Sequence, residues 1–90
     1  MTEEYNPLIG KVVLARAGRD KGSIFTVIDQ IDEDYVLIAN GVNRSMDKPK
    51  KKKLKHLEFK PEVLANIREK ILKGQKVFDA EIRKSLESLL

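Results

Sequence analysis

Residues 10–31 read GKVVLARAGRDKGSIFTVIDQI, two apolar segments that flank a charged loop. Residues 12–15 and 24–28 are dominated by β-branched and aliphatic side chains, a composition typical of strands on a buried, pleated surface. Gly18 and Gly22 supply backbone freedom at the two ends of the loop, and the three charged residues between them are costly to bury. The segment therefore predicts two strands joined by a tight loop that presents charge to solvent.

The second of these strands, residues 23–31, has apolar side chains on both faces. Because side chains alternate along a strand, Phe25 and Val27 fall on one face with Ile31, whereas Ile24 and Ile28 fall on the other. A small barrel has only one interior. We therefore expect that the strand bends sharply to serve two sheet faces, or that another element covers its outer face.

Further short strands follow along the chain. Residues 35–39 predict a third strand after the acidic turn 32–34, and Asn40-Gly41 predicts a turn before a short fourth strand at residues 43–45. Residues 47–53 contain no apolar side chain and predict a loop, and a last strand follows with Leu57 and Phe59 on one face. Five short strands with no helix among them predict a mainly β fold, a small SH3-like barrel over residues 7–59.

After residue 59 the apolar period becomes helical, which predicts a helical extension over residues 60–90. The first helix is predicted to start at Pro61 and to end at Gly74, with the second capped by Asp79. Their apolar stripes are Leu64, Ile67 and Ile71, then Ile82, Leu86, Leu89 and Leu90. Helices this short are not stable alone, so we expect them to pack on the barrel. Residues 1–6 are polar and predict a flexible N-terminus.

The chain has 90 residues, enough for one domain, and no cysteine, so disulfides and thiolate metal sites are excluded. Its net charge of +4 is unevenly distributed, since residues 47–60 carry +5, residues 1–46 carry −2 and residues 61–90 carry +1. A concentrated positive segment on a near-neutral body is typical of proteins that bind a polyanion. We find no apolar run that would serve as a secretory signal or a membrane span, which favours a cytoplasmic protein.

Lysine fills six of the eight positions in residues 48–55, and this run is the main candidate for contact with phosphate. Lysines act as point charges, so they would position the protein on a nucleic-acid backbone without reading bases. The alternative, a solvated charged segment with no partner, remains open at this stage. The candidate RNA-binding residues are Arg16, Arg19, Lys21, Arg44, Lys48, Lys50, Lys51, Lys52, Lys53, Lys55 and His56.

The two strands with their Gly-x-x-Lys-Gly loop, Gly18 to Gly22, resemble the KOW motif of ribosomal proteins and transcription elongation factors. The resemblance extends through the Gly-Val-x-Arg segment that ends at Arg44 and on to Leu57, about fifty of the 90 residues in all. This longer stretch is similar to the large-subunit ribosomal protein family L-fourteen-e. Phe25 stands where KOW sequences usually carry glycine, which favours the ribosomal subgroup. The resemblance implies contact with ribosomal RNA through the KOW loop, and contact with ribosomal proteins.

No pattern of catalytic residues is present in the sequence. It has one histidine, no phosphate-cradling Gly-Lys-Ser/Thr loop and no nucleophile elbow, and the acidic turn 32–34 lacks the spacing of a calcium loop. We therefore expect a protein that is not an enzyme and that uses no metal, cofactor, small-molecule substrate or membrane. A protein-docking barrel is the alternative function, because SH3-like barrels also bind proteins.

Overall fold

The computed structural model describes residues 6–90, a five-stranded antiparallel sheet followed by two helices. The elements in chain order are β1 (Lys11–Ala15), β2 (Ile24–Gln30), β3 (Tyr35–Ala39), β4 (Lys50–Lys53), a 3-10 turn (Leu54–His56), β5 (Leu57–Val63), α1 (Ala65–Leu72) and α2 (Asp79–Glu87). The strand order is β4-β3-β2-β1-β5, so four strands form a meander and the fifth returns to pair with the first. The predicted fold class, a small mainly β barrel with two helices packed on it, is confirmed. The predicted flexible N-terminus lies outside the described residues except for Asn6.

The sheet separates two apolar cores. The inner core contains Ile9, Val13, Ala15, Phe25, Val27, Val36, Ile38 and Leu57. The outer core joins the opposite face of the sheet to the helices and contains Val12, Ile28, Ala39, Leu64, Ile67, Val77, Ile82 and Leu86. Burial of each of the larger side chains, Val, Leu, Ile and Phe, contributes about 1.5–3 kcal/mol. The expectation that the helices cover the outer face of β2 is confirmed.

A bulge in β2 changes which side chains reach the inner core. Between Val27 and Asp29, two steps along β2 face one step along β3, so Ile28 is the extra residue. Phe25 and Val27 lie in the inner core as predicted. Ile31 lies beyond the end of β2 and is exposed, so its predicted place on the same face is wrong.

Lysines form β4, so the predicted loop over residues 47–53 is wrong at residues 50–53. The strand pairs with β3 and lies at one edge of the sheet. Edge strands tolerate lysine, because its aliphatic stem covers apolar surface while the ammonium group reaches water or a polar partner. The short strand predicted at residues 43–45 is also absent, because residues 41–44 form a bend between β3 and β4.

The last strand extends past its predicted end. β5 continues through Pro61 to Val63, so the prediction that Pro61 starts a helix is wrong. Phe59 pairs with Val13 and Val63 pairs with Lys11, and the register shift between these pairs places Pro61 in an irregular stretch. β5 is an edge strand of the sheet, and proline is tolerated at edges and bulges because it has no N–H to donate.

The helix ends differ from the predictions by a few residues. α1 ends at Leu72, and Gly74 follows with φ of 73°, which confirms glycine as its stop signal. α2 is preceded by Phe78, not by Asp79, as its N-cap; the N–H of Phe78 donates to Glu81 at 2.9 Å. Leu89 lies past the end of α2 and is exposed, as is the residue after it, so only the first half of the predicted stripe is buried. No helix within residues 6–90 is long and apolar enough to cross a membrane.

Candidate nucleic-acid interface

The β1–β2 loop, residues 16–23, is a compact turn with two exposed cations. The N–H of Gly22 donates to the carbonyl of Ala15 at 2.8 Å, which closes the loop on the end of β1. Gly18 and Gly22 have φ of 83° and 91°, a conformation that side chains rarely adopt. Arg19 and Lys21 are exposed, and the structure gives neither side chain an ion pair within residues 6–90. The loop therefore presents two cations to solvent, as the sequence predicts.

The acidic residue of the same loop faces inward. Asp20 is only 6% exposed, and its Oδ2 accepts hydrogen bonds from Arg44 Nη2 at 2.9 Å and Nε at 3.3 Å. The expectation that all three charged residues of the loop point into solvent is therefore wrong for Asp20. A buried carboxylate needs such a partner, because desolvation penalises its charged form. The ion pair attaches the loop to the segment between β3 and β4.

A lysine of β4 makes a second attachment. Lys52 is only 8% exposed, and its Nζ donates to the carbonyl oxygen of Ala17 at 2.9 Å. The same ammonium group would lie 2.8 Å from a Cβ atom at Gly18, so the loop backbone and the lysine are in close contact. Lys52 thus bridges the edge strand β4 and the β1–β2 loop across the end of the barrel.

A third segment reaches the loop from the 3-10 turn. The N–H of Arg16 donates to the carbonyl of His56 at 2.8 Å. His56 is half-buried, and Lys55 beside it is exposed. The structure therefore gathers six of the predicted site residues around the loop, and we call this group the basic end: Arg16, Arg19, Lys21, Arg44, Lys52 and His56.

A concavity of about 330 Å³ opens at the basic end. Its lining includes Arg16, Lys21 and the backbone of Gly22, together with Glu58 of β5. The pKa of Glu58 is lowered, first by a hydrogen bond from Lys60 and then by the positive charges of Lys60 and Arg16. Glu58 forms an ion pair with Lys60, so it adds one negative charge at the edge of this concavity.

The outward face of β4 carries a second group of cations. Lys51 Nζ lies 4.6 Å from the ring centroid of Tyr35, and Lys53 Nζ lies 5.7 Å from it. Ammonium groups at these distances are attracted to the face of the ring. Lys51 and Lys53 lie on the face of the strand opposite Lys52, so they are separate from the basic end.

The remaining predicted residues occupy the approach to β4. Lys48 is exposed in the turn before the strand, where its N–H donates to the carbonyl of Ser45 at 3.2 Å. Lys50 begins β4 opposite Ile38 and is half-buried. These lysines lie between Arg44 and the outward face of β4 along the chain. The predicted cations therefore form two separate groups with a connecting segment, and not a single compact pocket.

The position of Asp20 between two cations indicates that it orders its own loop, but the sequence does not identify the partner that it uses. Its partner Arg44 is 24 residues away, and no local pattern reveals a contact over that separation. The one feature in the sequence that points to this role is the acidic residue itself, which lowers the positive charge of a loop that otherwise carries only cations. Such a residue is explained most simply by a structural role.

The acidic residues and His56 do not form a metal site in the part of the chain that the structure describes. Within residues 6–90 no group of three or more His, Cys, Asp or Glu side chains is arranged to hold a metal ion. A scan of the chain against protein-family models finds no match. The arrangement of the basic end can bind an anion by charge and by exposed backbone at Gly22.

Proposed function

We propose that this protein is a non-catalytic, cytoplasmic RNA-binding protein that contacts the phosphates of structured RNA through the basic end and the outward lysines of β4. The observation that carries the proposal is the double attachment of the β1–β2 loop, by Arg44 to Asp20 and by Lys52 to Ala17. The attachments hold Arg19 and Lys21 exposed on a fixed backbone. Preordered cations lose less entropy when they bind, which favours contact with a phosphate.

Ribosomal RNA is the target that we propose first. The proposal rests on the resemblance of residues 10–59 to the L-fourteen-e family and on the position of the KOW-like loop at the basic end. In this proposal the protein is a ribosome component or a ribosome-associated factor, with ribosomal proteins as neighbours. If the protein sediments with large ribosomal subunits in a sucrose gradient, the result supports ribosomal RNA as the target. If it stays at the top of the gradient with proteins that are not bound to ribosomes, the result contradicts this target.

The apolar stripes of the helices do not favour the protein-docking alternative. Ile67 and Ile82 are fully buried against the sheet, so these parts of the stripes are used within the domain, whereas Leu89 and Leu90 at the end of the second stripe are exposed. A docking surface would need an uncovered apolar patch of several hundred Å². We therefore keep RNA binding as the single proposed function.

The test compares two double variants that remove the same charge. Arg19→Ala/Lys21→Ala removes two exposed cations from the loop, whereas Lys76→Ala/Lys84→Ala removes two exposed cations from the helical region. Binding to a transcribed large-subunit RNA is followed by fluorescence anisotropy between 50 and 200 mM salt. The loop variant should lower the salt slope by about 1.5, at roughly 0.7 to 0.9 per phosphate contact, with little change in melting temperature. Equal losses in both variants would contradict a specific role for the loop.

A further inference from the structure

A groove of about 360 Å³ shares Gly22 with the concavity of the basic end. It runs between the β1–β2 loop, the bend after β3 and α2. Leu86 lies at its base and is buried, and Val42 stands at its rim, 71% exposed. We call it the Arg83 groove, after the one cation in its lining.

The rim of the Arg83 groove is held in place. The side-chain oxygen of Asn40 accepts hydrogen bonds from the N–H groups of Val42 and Arg44, both at 3.0 Å. A Cβ atom at Gly41 would lie 2.2 Å from the carbonyl oxygen of Asp79, so the bend packs directly on α2. The groove is therefore largely preformed, as small ligand sites usually are.

Two opposite charges line the groove without pairing. Arg83 and Glu87 are four residues apart on α2, a spacing that places them on one face of the helix. Within residues 6–90 the structure gives neither side chain an ion pair or a side-chain hydrogen bond. The groove thus offers donors from a guanidinium and an acceptor from a carboxylate, above an apolar floor.

We infer that the Arg83 groove receives an unpaired guanine of the RNA that binds the basic end. Guanine presents two acceptors, O6 and N7, that match an arginine fork, and N–H groups that match a carboxylate. This inference rests on the proposed function, because Gly22 lines both concavities and so joins a phosphate on Lys21 to a base in the groove. A side chain at Gly22 would meet open space, so the backbone there is open to a nucleotide.

The size of the groove favours a base over a protein. Nine residues line it, whereas a stable protein interface takes roughly 20 to 30 residues from each partner. A cavity of about 360 Å³ is near the lower end of small-molecule sites, which suits a single ring system. Arg83 and Glu87 give the groove one charge of each sign, which suits a base with both acceptors and donors, and the cation for a phosphate is Lys21 in the neighbouring concavity.

The test uses three RNA hairpins of equal length, with one bulged guanosine, one bulged adenosine or no bulge. The protein should bind the guanosine hairpin about tenfold more tightly than the adenosine hairpin, the discrimination of one good bidentate contact. Arg83→Gln should abolish this preference, and Glu87→Gln should reduce it. Lys84→Gln is the control, because it removes the same charge as Arg83→Gln from an exposed position on α2 and should weaken all three hairpins equally.

Each other outcome has a definite meaning. Equal binding of the two bulged hairpins, or a preference that survives Arg83→Gln, would overturn this inference while leaving the proposed function intact. Failure to bind any hairpin or the large-subunit RNA would overturn both. A dimer in analytical ultracentrifugation that Val42→Asp dissociates, with no preference among the hairpins, would assign the groove to a second copy of the chain and overturn the inference.

Discussion

Replacing Asp20 with alanine separates the total charge of the protein from the position of its charges. The substitution raises the net charge from +4 to +5, so charge alone predicts tighter binding to RNA. The structure predicts the opposite, because Asp20 holds the β1–β2 loop to Arg44. Without the ion pair, Arg19 and Lys21 must be ordered at the moment of binding.

The magnitudes follow from the geometry of the pair. A hydrogen-bonded contact between charged groups contributes about 1.5–3 kcal/mol, and Arg44 is 27% exposed, so we expect Asp20→Ala to cost about 1–2 kcal/mol of stability. In a domain of this size that corresponds to a fall in melting temperature of roughly 5–15 °C. Ordering each of the two freed side chains costs about 0.5–1.5 kcal/mol on binding, so the affinity for RNA should fall roughly fivefold to 150-fold.

The control is Glu33→Ala, which raises the net charge by the same amount from an exposed position in the turn between β2 and β3. It should leave the melting temperature nearly unchanged and bind RNA as tightly as the unaltered protein or more tightly. Both variants are measured by fluorescence anisotropy at 20 °C, well below the lowered transition. Asp20→Ala binding as tightly as Glu33→Ala would refute the positioning role of the ion pair.

Three further predictions concern β4, the glycines and pH. Lys51→Gln/Lys53→Gln should lower the salt slope of RNA binding by about 1.5 with little change in urea unfolding, because these cations lie on the outward face. Gly41→Ala should lower the free energy of unfolding by more than about 2 kcal/mol, because the φ of Gly41 is 76° and an added Cβ would overlap the backbone of α2. Gly22→Ala should lower it by about 1 kcal/mol, because an added Cβ there meets open space. The pKa of Glu81 is lowered, first by a hydrogen bond from Lys70 of α1. The stability that Glu81 contributes is therefore present above the ordinary pKa of 4.5 and is lost as pH falls through the lowered pKa. In urea titrations across that window, Glu81→Gln should lose less stability than the unaltered protein.

The predictable parts of the fold have apolar residues at the spacing of a strand or a helix. β2 has aliphatic residues on both faces, and that pattern predicted a sharp bend or a second covering layer, which α1 and α2 supply. The helical stripes were equally predictable, because the apolar residues of each helix recur at the helical period. Ile67 in α1 and Ile82 in α2 belong to these stripes and are buried. Such a periodic pattern of apolar residues indicates directly which side chains are buried.

The elements that were predicted wrongly lack such a periodic pattern. Four consecutive lysines have no alternation, so the sequence of β4 cannot show that Lys52 faces inward while Lys51 faces outward. The strand exists because β3 offers a paired edge and because lysine stems can lie on apolar surface. Pro61 is a common helix start, but here the register of β5 on β1 outweighs that local preference. In both cases tertiary pairing decided the structure, and it left no local signal.

The same distinction applies to the candidate site. Exposed cations such as Arg19 were predictable, since a charged loop between two glycines has nowhere to bury them. The separation of roles among the cations was not predictable, because the sequence treats Lys52 and Lys53 alike. One donates to a carbonyl of the loop and the other lies near a tyrosine ring.

The β1–β2 loop cannot be anchored by hydrophobic burial, because Ala17 is the one apolar side chain in residues 16–22. Its two attachments are therefore polar, the ion pair of Asp20 and the ammonium contact of Lys52. Salt screens charges in solvent within about 10 Å at 0.1 M, and buried pairs much less. Since Asp20 and Lys52 are both more than nine-tenths buried, salt concentrations that weaken RNA contacts should leave the loop in place. A salt titration of RNA binding consequently measures contacts with phosphate and not melting of the loop.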